Sequence, residues 1–150
     1  MEVIKLGKDE QLPYDLLLSA DPSKDLVEDY IHRGTCYVLK DEDSVLGEFV
    51  LLKTGQETME IMNLAVVKNR VGKGLGRMLV EKCIELAREA DMQILEISTG
   101  NSSIGQLALY QKCGFRIVGV EPDYFTRNYK EDIVENGIKC QDIIRLEIRL

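Results

Sequence analysis

Between Glu60 and Glu81 the chain has no carboxylate, and this gap contains a segment of glycines and cations, Lys68-Asn69-Arg70-Val71-Gly72-Lys73-Gly74-Leu75-Gly76-Arg77. Glycine occupies every second position from Gly72 to Gly76, which allows main-chain N–H groups to approach a ligand closely. A helical pattern begins directly after these glycines, so the partly positive N-terminus of a helix lies at the same place. The segment therefore predicts a binding site for a ligand with several phosphates.

Other interpretations of this segment fit its spacing less well. A Walker loop is excluded because its lysine must be followed by serine or threonine, whereas Lys73 is followed by Gly74. The dinucleotide fingerprint is disfavoured because Arg77 stands where its third glycine is required, and the strands upstream do not begin a doubly wound sheet. A purely structural role, in which the glycines only allow tight packing of strand and helix, leaves the four accompanying cations unexplained.

A strand–loop–helix–strand unit positions the glycine segment. Residues 61–67 are almost continuously apolar, which is typical of a central strand that is covered on both faces. Apolar residues then recur at helical spacing from Leu75 to Ala90, and charged residues occupy the other side of this predicted helix. Residues 94–98 are again a strand pattern.

The N-terminal third predicts a strand, two short helices and a hairpin. The strand covers residues 3–6, and the first helix lies around residues 14–18. Asp21-Pro22 is a typical helix start, with Asp21 as the cap, and this second helix is expected to end at Gly34. Residues 35–39 and 45–53 predict an antiparallel pair, because β-branched and aliphatic residues flank a polar turn.

The C-terminal third predicts one further helix between strands. Asn101, Ser102 and Ser103 offer caps for a helix that ends at Gly114, and a strand begins at Phe115. Residues 144–150 alternate between apolar and charged side chains, so this last strand is expected to bury one face.

Composition and charge limit the classes of function. A chain of 150 residues with 45% hydrophobic content predicts a single domain over residues 1–150. The formal net charge of −7 argues against binding to nucleic acid or to an anionic membrane. No apolar run approaches the roughly 18 residues of a membrane span, and no signal segment is recognisable at the start. We therefore expect a cytoplasmic protein.

The cysteines do not predict a metal site. Cys36, Cys83, Cys113 and Cys140 are scattered without a Cys-x-x-Cys pair, and His32 is the single histidine. Zinc sites require closely spaced ligands of these types, so we expect no metal and interpret the cysteines as reduced structural thiols.

Two motifs together resemble one family of enzymes. The glycine segment after an apolar strand resembles the acyl-CoA loop of the GNAT superfamily of N-acetyltransferases, although Val71 stands where the family pattern begins with glutamine or arginine. Leu109-Tyr110-Gln111-Lys112-Cys113-Gly114-Phe115 resembles the helix and turn that follow the next strand in these enzymes. The resemblance implies an α/β fold of the α+β type, with a mixed, mostly antiparallel central sheet of about seven strands flanked by about four helices.

The resemblance also implies a co-substrate site, for acetyl-CoA. In the family the diphosphate is held mostly by main-chain N–H groups, so side-chain identity in the loop matters less. Further contacts are implied for Leu64 and Val66 on the strand before the loop, and for Asn101 after the next strand. The residues implied to bind acetyl-CoA are Leu64, Val66, Val71, Gly72, Lys73, Gly74, Gly76, Arg77 and Asn101.

Direct acetyl transfer to an amine requires a base, donors for the developing oxyanion and an acid for the departing thiolate. By resemblance Glu60 is the candidate base, directly or through water, and the N–H of Leu64 is the candidate donor to the thioester carbonyl. Tyr110 is the candidate acid, because a phenol with a pKa near 10 can protonate a thiolate. Each also has a simpler interpretation: Glu60 as a solvated strand-end residue and Tyr110 as a core residue.

The segment from Glu121 to Glu135 combines carboxylates and aromatic residues, and in the family this region often borders the acceptor. We expect a primary amine of a small molecule or a protein as acceptor, and the acidity favours a cationic one; a solvated loop with packing aromatics is the simpler alternative. A non-catalytic acyl-CoA sensor and a nucleotide-binding regulator stay open as rival functions. A monomer and a homodimer are both compatible with the sequence.

Overall fold

The computed structural model describes residues 1–150 as nine strands and five α-helices, with one short 3₁₀ turn at Lys68–Arg70. The elements in chain order are β1 (Glu2–Lys5), α1 (Tyr14–Ala20), α2 (Lys24–Arg33), β2 (Thr35–Asp41), β3 (Ser44–Lys53), β4 (Thr58–Val66), α3 (Leu75–Glu89), β5 (Ile94–Gly100), α4 (Ile104–Lys112), β6 (Arg116–Glu121), α5 (Tyr124–Asn128), β7 (Ile133–Glu135), β8 (Ile138–Cys140) and β9 (Ile143–Arg149).

Seven of the strands form one mixed sheet in the order β1-β2-β3-β4-β5-β9-β6. All neighbouring pairs are antiparallel except β4 and β5, which run parallel because α3 connects them as a crossover. The predicted sheet and its mostly antiparallel pairing are confirmed. Strands β7 and β8 form a separate two-stranded hairpin.

Helices cover the sheet on both faces. Helices α1 and α2 pack against β2, β3 and β4, whereas α3 packs on the other face with α4 beside it. Phe49, Leu79 and Leu95 are fully buried in the main core under α3, and Leu17 and Val27 are fully buried in a smaller core under α1 and α2. No helix is both long and apolar enough to cross a membrane.

Helix α2 begins later than predicted. Its first residue is Lys24 and its cap is Ser23, whose hydroxyl accepts a hydrogen bond from the N–H of Leu26 at 3.3 Å. Asp21 is not the cap, because its carboxylate accepts hydrogen bonds from the hydroxyls of Tyr30 and Tyr129 and from the N–H of Ser23. The predicted end at Gly34 is confirmed.

The predicted side-chain caps of α4 are also absent. Ser103 stands at the cap position, but its hydroxyl donates to the carboxylate of Glu135 at 3.1 Å, and that of Ser102 donates to the same oxygen at 3.4 Å. These serines therefore attach the β7–β8 hairpin to the start of α4. The predicted end of α4 is confirmed, with Gly114 at a φ of +105°.

Candidate functional site

Strands β4 and β5 diverge and open a gap in the middle of the sheet. They pair only from Thr58–Ile94 to Ile61–Ile97, although β4 continues to Val66 and β5 to Gly100. Beyond the pairing, β5 continues beside β9 and β4 beside β3. The second half of β4 therefore presents an unpaired edge to the gap.

The unpaired edge belongs to Leu64 and Val66. The N–H of Val67 donates across to β3, at 2.9 Å from the carbonyl oxygen of Leu46. Peptide groups alternate in direction along a strand, so Ala65 also faces β3, while the N–H and C=O groups of Leu64 and Val66 face the gap. These are the two strand residues that the resemblance implied for the co-substrate.

The glycine loop closes one end of the gap. Gly72 and Gly74 have φ values of +82° and +81°, which only glycine adopts without strain. A Cβ atom added at either position would meet no atom within 4 Å, so these glycines serve the backbone conformation of an open loop. Gly74 is the N-cap of α3, and the helix therefore points its N-terminus out of the loop.

The loop offers several free N–H groups. The first helical hydrogen bond of α3 runs from the N–H of Met78 to the carbonyl oxygen of Gly74 at 3.1 Å, and the N–H groups of Gly74, Gly76 and Arg77 have no acceptor in the protein. Those of Val71 and Lys73 make long turn hydrogen bonds, at 3.4 and 3.3 Å. The N–H groups of Gly74, Gly76 and Arg77 are thus free to donate to a ligand.

Cations surround these N–H groups. Lys68, Arg70 and Lys73 are exposed and make no ion pair, whereas the guanidinium of Arg77 contacts Glu81 one turn along α3, at 2.9 Å. Free N–H groups, a helix N-terminus and unpaired cations are the features that bind a diphosphate.

Tyr110 lies on the inner face of α4. Its side chain is 4% exposed and packs with Phe115, and burial raises the pKa of its hydroxyl above its usual value, so the group stays protonated at neutral pH. The hydroxyl makes no hydrogen bond within the protein. Unlike the unpartnered side-chain oxygens of Glu48 and Asn63, it is not completely shielded from solvent. It therefore lies at an opening of the core.

A cavity of about 510 Å³ lies on the side of the sheet that carries α1 and α2. Glu60 and Met62 belong to its floor, and four carboxylates reach it against a single cation, Arg33. The aromatic and the remaining acidic residues in its lining are Tyr30, Tyr124, Phe125, Tyr129, Asp21, Asp29 and Glu135. The cavity is therefore acidic and partly aromatic.

Glu60 is half-buried on β4. Burial raises the pKa of its carboxyl above the usual range, the nearby charge of Glu96 raises it further, and Arg145 opposes the shift. A raised pKa makes the carboxylate a stronger base than an exposed glutamate. Tyr124 lies near both Glu60 and Asp21, since the two charges contribute to the raised pKa of its hydroxyl.

A hydrogen-bonded chain supports the cavity wall. The amide of Asn63 donates to the hydroxyl of Tyr30 at 2.8 Å, and Tyr30 donates to Asp21 at 3.0 Å. Tyr129 donates to the other oxygen of Asp21 at 2.6 Å. Asp21 and Tyr30 were not predicted as site residues, because nothing in local sequence reveals a partner 108 residues away.

Asn101 makes mainly structural contacts. Its amide N–H donates to the carbonyl of Lys139, and its oxygen accepts from the N–H groups of Gln141 and Asp142, at 2.9 and 3.0 Å. Glu131 and Asp132, which belong to the acidic segment, line a second cavity away from Glu60.

Comparison with known proteins finds a family model and a relative that both describe acetyltransferases. A family model described as "Acetyltransferase (GNAT) family" matches residues 6–115. An uncharacterized N-acetyltransferase, YvbK, of Bacillus subtilis (strain 168) is 52% identical over 149 residues, which are 98% of this chain and 96% of the relative.

Two solved structures superpose on nearly the whole chain. An IAA acetyltransferase from Bacillus cereus ATCC 14579 has a TM-score of 0.96 and 49% identity, with 99% of each chain covered. A GNAT family acetyltransferase from Elizabethkingia anophelis with acetyl-CoA bound has a TM-score of 0.97 and 42% identity, with 99% of this chain and 97% of that chain covered.

Proposed function

The chain belongs to the GNAT family of acetyltransferases, and from this we propose that it transfers the acetyl group of acetyl-CoA directly to a primary amine of a small molecule or a protein. The single observation that carries the proposal is the gap between β4 and β5, which leads from the unpaired edge of Leu64 and Val66 to the free N–H groups of the glycine loop. A chain with these features can hold an extended, diphosphate-containing thioester.

The glycine loop would hold the diphosphate. Its free N–H groups and exposed cations fit such a group in charge and in hydrogen-bonding type, and the open space around Gly72 and Gly74 leaves room for it. We assign this contact to Val71, Gly72, Lys73, Gly74, Gly76 and Arg77. Leu64 and Val66 would contact the pantetheine arm with their main chain, and Asn101 has one amide hydrogen left for the same arm.

Glu60, Leu64 and Tyr110 would then perform the transfer. Glu60 accepts a proton from the ammonium group, directly or through water, so that the neutral amine can attack the thioester carbon. The N–H of Leu64 donates to the developing oxyanion, and such a donor typically contributes ~10²–10³ in rate. Tyr110 donates a proton to the sulfur as the C–S bond breaks.

The acceptor is a cationic amine. Glu60, three further carboxylates and several aromatic rings line the cavity, and an ammonium group is attracted to both carboxylates and rings. The chain as a whole is also negative, with a formal net charge of −7, as are the carboxylates of the cavity.

Release of free CoA thiol tests the function. Wild-type protein and acetyl-CoA would be mixed with a panel of cationic, neutral and anionic amines, with the reaction stopped and the acetylated product identified by mass spectrometry. We expect thiol release and product with cationic amines, and at least tenfold less with anionic ones. Binding of CoA with no product from any amine would instead support a non-catalytic sensor, and tighter binding of ATP or NAD would support a nucleotide-binding regulator.

A cytoplasmic location stays a prediction, and the choice between a monomer and a homodimer stays open. Cell fractionation tests the first, and light scattering of the purified protein tests the second.

A further inference from the structure

Three glutamates lie side by side on one face of the sheet. Glu60 on β4 lies opposite Glu96 on β5, and Glu96 lies opposite Glu147 on β9. Residues in these positions project to the same face, with Cβ atoms about 5 Å apart in a typical sheet. Like charges directly opposite each other repel, and Arg116, which lies opposite Glu147 on β6, offsets this only at the far end of the row.

The neighbouring row shows which face the glutamates occupy. Ile61, Ile97 and Leu146 are each adjacent in sequence to one of the glutamates and form the next cross-strand row. All three are buried in the core under α3. Side chains alternate between the faces of a sheet, so the glutamates lie on the opposite face. That face carries the acidic cavity, and Glu60 is part of its floor.

We propose that Glu96 is a positioning residue for acetyl transfer that acts through Glu60, because its negative charge lies beside the Glu60 carboxyl on the same face of the sheet. The inference rests on the proposed function, since it takes Glu60 as the base. A like charge beside a carboxyl group disfavours its ionised form, so Glu60 binds a proton more strongly than a glutamate without such a neighbour.

The proton balance of the reaction requires a group that accepts a proton from the ammonium nitrogen. An ammonium group loses two protons when it becomes an amide: the C–N bond forms, the C–S bond breaks, and one proton ends on the sulfur. Tyr110 delivers that proton to the sulfur and is then reprotonated by one of the two protons that the nitrogen loses. The other proton passes from the nitrogen to Glu60 and is released to solvent once per turnover, so Glu60 holds it in the meantime.

The charges around Glu60 do not cancel the effect of Glu96 on its pKa. Leu52 lies opposite Glu60 on β3 and carries no charge, while Arg145 on β9 lowers the pKa of Glu60 less than burial and Glu96 raise it. Glu96 is flanked diagonally by Arg145 and by Arg149. Further groups reach the cavity from the other elements around it: Asp21, Asp29, Arg33, Tyr30, Tyr124, Tyr129 and Glu135.

Carboxyl titration and a pH–rate profile test the pair together. Protein labelled with ¹³C at the glutamate carboxyls would be titrated by NMR, with Glu60→Gln identifying the Glu60 signal. In Glu96→Gln we expect the pKa of Glu60 to fall toward the usual range, whereas Glu96→Asp keeps the charge and preserves the raised value. Glu147→Gln, one strand further away, is the position control and should leave it nearly unchanged.

The kinetics should change in the same variants. In Glu96→Gln the acid limb of kcat/KM moves to lower pH, and the plateau value of kcat falls by about two- to tenfold because Glu60 becomes a weaker base. Glu89→Gln removes an exposed carboxylate at the end of α3 and is the matched control, with both profiles unchanged.

The outcomes separate this inference from the proposed function. An active enzyme in which Glu96→Gln leaves both the Glu60 titration and the pH profile unchanged overturns the inference alone. If the wild-type protein acetylates no amine, the proposed function fails and the inference fails with it. Should Glu96→Gln not fold, Glu96→Thr decides, since it also removes the charge and an unchanged Glu60 titration there contradicts the coupling.

Discussion

Tyr110 combines a buried ring with an unpaired hydroxyl at an opening of the core. This combination suits a group that donates a proton to a leaving thiolate, because the hydroxyl is protonated and has no competing partner. We predict that Tyr110→Phe lowers kcat by about 10²-fold or more and leaves the Kd for CoA nearly unchanged. Stopped-flow thiol detection and calorimetry measure the two quantities.

Tyr37→Phe is the matched control for this variant. Tyr37 stacks on Phe49 in the same core with ring centroids 4.9 Å apart, and its hydroxyl also makes no hydrogen bond. Its removal should leave kcat unchanged. A Tyr110→Phe enzyme that turns over at the wild-type rate would exclude Tyr110 as the acid and leave only its packing role.

Glu48 carries the most unusual carboxyl group in the protein. It is fully buried on β3, and neither oxygen has a hydrogen-bond partner. The register places it diagonally opposite Asn63, whose Oδ1 atom is also buried and unpartnered. Burial raises the pKa of Glu48 well above its usual value of 4.5, so the folded protein holds the group as a neutral acid.

A raised carboxyl pKa makes stability depend on pH with a definite sign. Above the usual value the unfolded chain releases this proton while the folded chain keeps it, so folding becomes less favourable as pH rises toward the folded-state pKa. The full contribution is present only below the usual value. Glu48→Gln cannot ionise and should therefore gain stability relative to wild type as the pH is raised.

Urea unfolding of both proteins at about pH 5 and about pH 8 measures this difference. Glu89→Gln, which removes an exposed carboxylate, should give the same difference from wild type at both pH values. A constant difference for Glu48→Gln as well would show that Glu48 does not keep its proton on folding.

The glycine loop shows how an element depends on one backbone conformation. Gly74 is the left-handed cap of α3, and an L-residue there is destabilised by about 1–2 kcal/mol. We predict that Gly74→Ala lowers the free energy of unfolding by about that amount and weakens CoA binding at least fivefold, because the free N–H groups shift. Chemical denaturation and calorimetry test the two effects.

Gly105 provides the control for that substitution. It lies near the start of α4 in open space and has no positive φ, so Gly105→Ala should be neutral or stabilising by about 0.5–1 kcal/mol. Unchanged CoA affinity in Gly74→Ala would mean that the conformation of this loop does not determine the diphosphate contact.

Elements with strong local signals were predicted, and three short elements near the C-terminus were not. The glycine loop and the helix after it could be recognised because glycine spacing and helical periodicity are properties of adjacent residues. Helix α5 and strands β7 and β8 have five, three and three residues, too few for either period to develop. The cap of α2 was placed at Asp21 because the tyrosines that compete for its carboxylate are distant in sequence.

The assembled molecule adds what no single segment contains. Leu64 and Val66 could be proposed from the resemblance, but the reason that their peptide groups are free is the divergence of β4 from β5. The acidic cavity likewise joins α1, α2, β4 and the segment after β6, and only the fold brings these together. Glu60 was predicted as a single carboxylate, whereas its pairing with Glu96 follows from strand register.

The hydrogen bond between Tyr129 and Asp21 joins distant segments in the wall of the acidic cavity. It joins residues 108 positions apart at 2.6 Å and is partly buried. A hydrogen bond to a charged group contributes about 1.5–3 kcal/mol, so we predict that Tyr129→Phe lowers the free energy of unfolding by about 1–2 kcal/mol. The cavity wall also becomes less ordered, and KM for the amine should rise severalfold while the Kd for CoA is unchanged. Tyr14→Phe is the control, because Tyr14 donates to Glu28 at 3.2 Å outside the cavity lining. An equal rise of KM in both variants would indicate a general loss of stability and contradict a specific role for Tyr129 in forming the cavity.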